Sequence, residues 1–176
     1  EIPLRYNQRL IRNLNVHELI LTIIRGRYTY SRNQGGNYGN LQKSYIAVIH
    51  LSYTFLIRFV RQNPANQSLL FDHLDLFIAD IESVNISAIL IKEILRDNYY
   101  LCTHKSIQKH ITSISRKIDA SLKTDASKSL MLEILIELIQ CQDTIIEENK
   151  SLILNSLYHQ SSSDTLQLLS SGPKLT

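Results

Sequence analysis

The chain holds no tryptophan, one methionine, two cysteines, three prolines and five glycines among its 176 residues. So few turn formers exclude a β-sandwich or barrel, whose many tight connections need Gly, Pro, Asn and Asp at regular spacing. Cys102 and Cys141 are too few for a disulfide framework and have no second ligand at metal-binding spacing, so a reducing compartment is expected. Long apolar runs are missing as well. Ile20–Ile24 is broken by Thr22, far short of the ~20 residues that cross a bilayer, and no membrane insertion is expected. No signal peptide opens the chain, and its first residue is Glu1 rather than Met, as expected of a segment of a longer protein.

What is abundant is aliphatic: 27 leucines and 24 isoleucines. That supply excludes disorder and suits a packed core in one medium domain. The net charge of +3 hides an asymmetry: residues 1–61 carry nine basic against two acidic side chains, the remainder ten against fourteen. A net charge so small is below that of most nucleic-acid modules, and no nucleic acid is expected as a partner.

Periodicity makes nearly the whole chain helical. Pro3 suits a first helical turn, followed by Leu4, Leu10, Ile11 and Leu14. Asn15 with Glu18 predicts a capped second helix whose apolar face is Leu19, Ile20, Ile23 and Ile24, ended by Gly26. Residues 26–40 hold four of the five glycines and read as a loop insertion. A longer helix follows over about Leu41–Gln62, with Tyr45, Val48, Ile49, Ser52, Phe55, Leu56 and Phe59 on one stripe. Asn63-Pro64 breaks it and starts a short helix through Phe71. Asp72–Phe77 begins another segment, Ser83 or Asn85 caps a helix through Ile94, and Asp97 opens one more turn. Thr103 leads into Ile107, Ile111, Ile114 and Ile118, and Asp125 into Leu130, Ile134, Leu135 and Leu138. Thr144 with Glu147 predicts a capped helix, and Ser161–Asp164 a further start before the stop at Gly172-Pro173. About ten amphipathic helices of this kind bury their stripes by layering, so the expected fold is all-α, an armadillo/HEAT-like α-solenoid built of helix pairs. Residues 1–176 are expected to be a single domain, with 159–176 starting a following helix and linker.

Catalysis needs converging acids, bases or metal ligands. None of the six histidines falls in a metal pattern such as HExxH. His73, between Asp72 and Asp75, suits a metal edge or a tuned imidazole, or simply a half-buried residue at a helix start. His104 and His110, six apart, point to different helix faces. Glu133 with Glu137, and Glu147 with Glu148, read as solvated rims, and Gly35-Gly36 lacks phosphate-loop spacing. No enzyme, cofactor or metal is expected. Arg5, Arg9 and Arg12 share one face of the first helix, which serves a solvated surface, an acidic partner or phosphates. Tyr28, Tyr30 and Tyr38 are the aromatics able to stack on bases.

The run Asn63-Pro64-Ala65-Asn66-Gln67-Ser68-Leu69-Leu70-Phe71-Asp72-His73-Leu74-Asp75-Leu76-Phe77 resembles the Asn-Gln-to-Leu-Phe block of the homology domain shared by inositol trisphosphate and ryanodine receptors, the RIH domain. Its matching positions are Asn63, Asn66, Gln67, Leu69, Leu70, His73, Leu76 and Phe77. Gln8–Leu19 is similar to the family's opening helix pair, and Asp97-Asn98-Tyr99-Tyr100-Leu101-Cys102 to its "NNxxLC" turn. The resemblance spans about residues 5–158.

The resemblance implies a non-catalytic segment of an intracellular calcium-release channel, on the cytosolic face of the endoplasmic reticulum or an equivalent store. Such receptors carry two copies. The first belongs to the inositol trisphosphate-binding core, where a Tyr-Arg-Lys triplet just before the Asn-Gln pair contacts phosphates. Asn63-Pro64-Ala65 stands there in this chain, which implies the second copy, whose role is to stiffen the solenoid and relay motion to the pore. Inositol trisphosphate is then not expected to bind this segment alone. The implied partners are neighbouring domains and adjacent subunits of a tetramer. Arg9 and Arg12 match a basic pair of the ligand-binding copy, so that copy is the alternative, together with an unrelated helical scaffold. Physically, Asn63 suits a cap, Asn66 and Gln67 suit bonds to neighbouring backbone, and Leu69, Leu70, Leu76 and Phe77 suit a joint between layers.

Overall fold

The structure, a computed structural model, describes the backbone of residues 2–32, 39–120 and 125–170 and the side chains of residues 4–26, 43–118 and 127–158. The described backbone forms ten helices: α1 (Ile2–Asn13), α2 (Val16–Arg32), α3 (Gly39–Val60), α4 (Pro64–Phe71), α5 (Leu74–Asp80), α6 (Ile86–Leu95), α7 (Tyr99–Cys102), α8 (Ile107–Ala120), α9 (Asp125–Ile139) and α10 (Glu147–Ser170). Two two-residue strands, β1 (Gln140–Cys141) and β2 (Thr144–Ile145), pair antiparallel before α10. The fold is all-α.

The repeating unit is three helices rather than a pair. In α1–α2–α3, α4–α5–α6 and α7–α8–α9, the second helix packs on the third, and α6 lies between α3 and α9. Helix α10 packs against α8 and α9. Each repeat joint is marked by left-handed backbone after the third helix: Gln62 at φ 52°, Asp97 at 53° and Gln142 at 50°. None is a glycine. The chain reverses there with side chains whose polar ends reach solvent, at a cost of order 1 kcal/mol each.

Leu56, Phe59, Leu70, Phe77, Leu90, Ile94, Ile111 and Ile134 lie in one core running through the repeats. Several stripes differ from their periodicity. Leu4 and Leu10 of α1, and Leu14 just past it, face outward, and Gln8 is buried. In α2, Leu21 and Ile24 are buried while Leu19 is exposed. In α3, Tyr53 is inside, its hydroxyl donating to Asp80 Oδ2 at 2.6 Å, and Val48 is outside. A helix packed on two sides buries more than one stripe, so a single 3.6-residue pattern does not fix its rotation.

Several helix ends also depart from expectation. Asn15 closes α1 at φ 52° rather than capping α2, and Glu18 lies 3.8 Å from His17 Nε2 instead of reaching back to the backbone. Neither Ser83 nor Asn85 caps α6 with its side chain; Ser83 Oγ donates to the Asp80 carbonyl, and Asn85 Oδ1 accepts from Ser127 Oγ. Asn98, not Asp97, caps α7. Thr103 bonds back to the Tyr99 carbonyl, and α8 begins four residues on, with Ser106 N donating to His104 Nδ1. Thr144 sits in β2, so the hairpin turn at Gln142-Asp143, both at positive φ, sets the entry to α10 in place of a capping pair. Helix α10 passes unbroken through Ser161–Asp164; a capping sequence starts a helix only where the preceding backbone is not already helical.

Gly26 does not end α2, which continues to Arg32; α3 begins at Gly39, so much of the loop expected over 26–40 is helix. A glycine weakens a helix without stopping it unless the chain leaves through left-handed backbone. Residues 33–38 lie outside the described residues, as do residues 171–176 with Gly172-Pro173 and the side chains of Tyr28, Tyr30 and Tyr38. Among the described residues, a Cβ added at Gly26 would meet the Tyr45 hydroxyl at 4.0 Å. Gly26→Ala should therefore raise stability by about 0.5–1 kcal/mol in urea unfolding; a loss would mean that the glycine is needed for a bend.

Candidate functional site

The polar residues of the three motif fragments converge on two joints of the same design. The last carbonyls of one helix and the first amides of the next need partners, because packing the next repeat on them excludes water. At the first joint Gln8 Nε2 donates to the Arg58 carbonyl at 2.8 Å and the Arg61 carbonyl at 2.9 Å, closing the end of α3. Its Oε1 accepts from Asn63 Nδ2 at 3.0 Å, and Asn63 Oδ1 accepts from Asn66 N at 3.3 Å, capping α4. At the second joint Gln67 Nε2 donates to the Glu93 and Arg96 carbonyls at 2.9 and 3.1 Å. Gln67 Oε1 accepts from Asn98 Nδ2 at 2.9 Å, and Asn98 Oδ1 accepts from Leu101 N at 3.3 Å.

The two joints correspond atom for atom with a 35-residue offset between the α3 and α6 ends, Arg58 and Arg61 against Glu93 and Arg96 and Asn63 against Asn98. Each is a clasp: a glutamine from the first helix of a repeat holds the end of the third helix and the asparagine cap of the next repeat. Amides alone suit this position, since each offers donors and an acceptor without charge. A third joint varies the design, with Asn149 Nδ2 donating to the Cys102 carbonyl at 2.9 Å and the Leu138 carbonyl at 2.8 Å.

Asn66 adds a further link, Nδ2 to the Phe59 carbonyl at 2.7 Å, while its Oδ1 accepts from Arg12 Nη1 at 2.9 Å. The arginine row of α1 is thereby divided. Arg12 is half-buried in the joint, whereas Arg5 and Arg9 are exposed. The α3 and α6 ends bring Arg61 and Arg96 to the buried Glu93 carboxylate, at 3.7 and 2.7 Å.

The aliphatic positions of the Asn-Gln block divide too. Leu70 and Phe77 are fully buried, Leu76 is half-buried, and Leu69 faces outward at 38 % exposure. His73 Nδ1 lies 3.2 Å from Arg25 Nη2. Partial burial, then the Arg25 charge, holds His73 below the ordinary histidine range, so it accepts from the guanidinium as a neutral ring. His104 and His110 are not on opposite faces of one helix, because His104 precedes α8; both rings stand edge-on to Phe71, at 5.3 and 6.0 Å. Burial also lowers His110, against the opposing pull of Asp75 3.3 Å away.

The Cys102 and Cys141 thiols are buried and free, and burial raises both; the neighbouring Cys141 thiol raises Cys102 further. Thiols held protonated in this way are poor nucleophiles. Glu133 pairs with Lys92 at 2.7 Å and Glu147 with Lys150 at 3.1 Å. Among the described residues no three His, Cys, Asp or Glu are grouped to hold a metal ion, and no helix is long and apolar enough to cross a membrane.

The described structure is thus a stack of three-helix repeats whose concentrated polar chemistry lies in its joints. The family model of the RIH domain matches residues 1–167, and the chain belongs to that family, the module of inositol trisphosphate- and ryanodine-receptor-type channels. Gln8, Asn63, Asn66, Gln67 and Asn98 all come from the motif fragments. Sequence reading assigned Asn66 and Gln67 to neighbouring backbone but missed Gln8 and Asn98 as their counterparts. The signal lay in the spacing: an asparagine recurs 35 residues on, at 63 and 98, just after an expected helix end in each case.

Gln67→Leu leaves the Asn98 amide and two helix-end carbonyls without that partner. We expect a loss of about 2–3 kcal/mol, against about 1–2 for Gln8→Leu, whose joint is more open to water. Urea denaturation of the two variants measures the order; equal losses would show that burial of the second clasp adds nothing. For the histidines, the unfolded chain takes up protons first as pH falls past about 6.5, so folding stability should fall between about pH 7.5 and 5.5. Asp75, lowered chiefly by its hydrogen bond from Lys109, loses its contribution only near and below its ordinary value of 3.8, outside this window. Melting temperatures of the His73→Gln, His110→Gln double variant across that range should show a shallower slope than the parent.

Proposed function

We propose that the chain is a non-catalytic cytosolic segment of an intracellular ligand-gated calcium-release channel, serving as a rigid body between ligand-binding and pore regions. Residues 1–176 act as one RIH-type unit on the cytosolic face of an intracellular calcium store. Their partners are neighbouring domains of the same channel and adjacent subunits of its tetramer. The observation that carries the reading is the pair of identical clasps. They tie successive repeats through desolvated amides, so a displacement at one end moves the repeats as a body instead of being absorbed by bending.

The copy this chain most resembles is the second, non-ligand-binding one. Asn63-Pro64-Ala65 supplies no cation where the binding copy has its phosphate-contacting triplet, and Arg12 is engaged with Asn66. The match of Arg9 and Arg12 to a basic pair keeps the inositol trisphosphate-binding copy as the second reading.

Two measurements test this. Calorimetry of the chain with inositol trisphosphate should give no saturable heat; micromolar binding abolished by Arg12→Ala would favour the second reading. In the full-length channel, Gln67→Leu should leave ligand affinity within about twofold while reducing ligand-evoked calcium release several-fold. Unchanged release would remove the coupling role.

A further inference from the structure

The three third helices of the repeats, α3, α6 and α9, lie side by side and carry the second helices α2, α5 and α8 on one flank. Among the described residues, their remaining solvent-facing positions include several aliphatic side chains. Leu51 on α3 is 68 % exposed, Ile89 on α6 44 %, and Leu132 and Ile136 on α9 43 % and 62 %. Lys92 and Glu133, one turn beyond Ile89 and next to Leu132, pair at 2.7 Å, so the α6 and α9 residues share one surface. Leu51 and Arg58 are seven residues apart on α3, as are Ile89 on α6 and Arg96 at its C-terminal cap, which places each arginine near the side of its aliphatic neighbour.

The edge of this face is electrically polarised. Arg58 and Arg61 stand at the C-terminal end of α3, Arg61 lying 3.7 Å from the buried Glu93; at the end of α6, Arg96 pairs with Glu93 at 2.7 Å and is followed directly by the exposed Asp97. At the corresponding end of α9 the sign reverses: Ile136 borders a shallow cleft lined by Asp97, Glu137 and Asp143. The face is therefore apolar in the middle, positive toward α3 and negative toward α9.

We propose that this face docks an amphipathic helix lying across α3, α6 and α9, acidic in its N-terminal half and basic in its C-terminal half. Packed helices lie about 8–10 Å apart, and a helix rises about 10 Å in seven residues. Aliphatic side chains repeating every seven residues on the docked helix therefore meet Leu51, Ile89 and the Leu132–Ile136 pair in turn, a span of about fifteen residues. Acidic side chains in its N-terminal half suit its own dipole and face Arg58 and Arg61. Basic side chains in its last turns face Asp97, Glu137 and Asp143. The inference is independent of the channel assignment, because it needs only the face and its charges.

The probe is a fluorescein-labelled helical peptide of about fifteen residues, with leucines seven apart, glutamates in the first half and lysines in the second. Its control has the same composition with the charges exchanged end for end. Fluorescence anisotropy with the 176-residue chain should show saturable binding of the first peptide and at least about tenfold weaker binding of the control. A Leu51→Glu, Ile136→Glu double variant should lose at least about tenfold in affinity with its melting temperature unchanged, since both side chains are already exposed. The proposal is overturned by equal affinity for the two peptides, by no saturable binding, or by binding that the double variant retains. Sedimentation of the chain as a dimer that the double variant returns to monomer would likewise overturn it, by giving the face to a second copy.

Discussion

Every helix end buried in a repeat joint carries peptide carbonyls with no partner inside the helix, and a packed solenoid has little water to offer them. That constraint shapes the protein. The uncharged amides of Gln8 and Gln67 meet it by donating to two carbonyls each and accepting from the asparagine that caps the next repeat. A lysine at either position would carry an uncompensated charge, and a leucine would leave all the partners bare. The amide residues of the family motif are thus explained by backbone satisfaction at the joints.

The same arrangement ties neighbouring repeats to one another. Removing one amide disturbs the end of one repeat and the start of the next together, so the joints behave as cooperative units. Apolar packing alone would permit neighbouring repeats to slide, since aliphatic contacts are non-directional. Hydrogen bonds with fixed geometry set the register, and the aliphatic core supplies the bulk of the stabilisation around them. The two thiols are buried and held protonated, and Glu133 and Glu93 are engaged by a lysine and an arginine.

Charge distribution gives the body a direction. The basic excess of the first third is divided between an arginine committed to a joint, Arg12, and arginines left at the surface, Arg5, Arg9 and Arg58. The acidic groups near α9 lie at the far side of the same ladder of helices. The two sets of charges therefore lie at opposite ends of the row α3, α6, α9.

Composition and periodicity by themselves determined the all-α class, the scarcity of turns, nearly every helix and the break at Asn63-Pro64, because these depend on local propensity and on which side chains avoid water. The Asn-Gln block was likewise visible as a motif. The rotation of α1, with Gln8 inward and its leucines outward, was not, nor was the continuation of α2 beyond Gly26 or the entry to α10 through a hairpin. Those features follow from what each segment meets across the fold. Gln8 is buried because carbonyls fifty residues away need donors, and Leu19 is exposed because Leu21 and Ile24 face the core instead. The grouping of helices in threes and the equivalence of the two clasps were decided only in three dimensions, since a hydrogen bond between distant residues leaves no periodic trace along the chain.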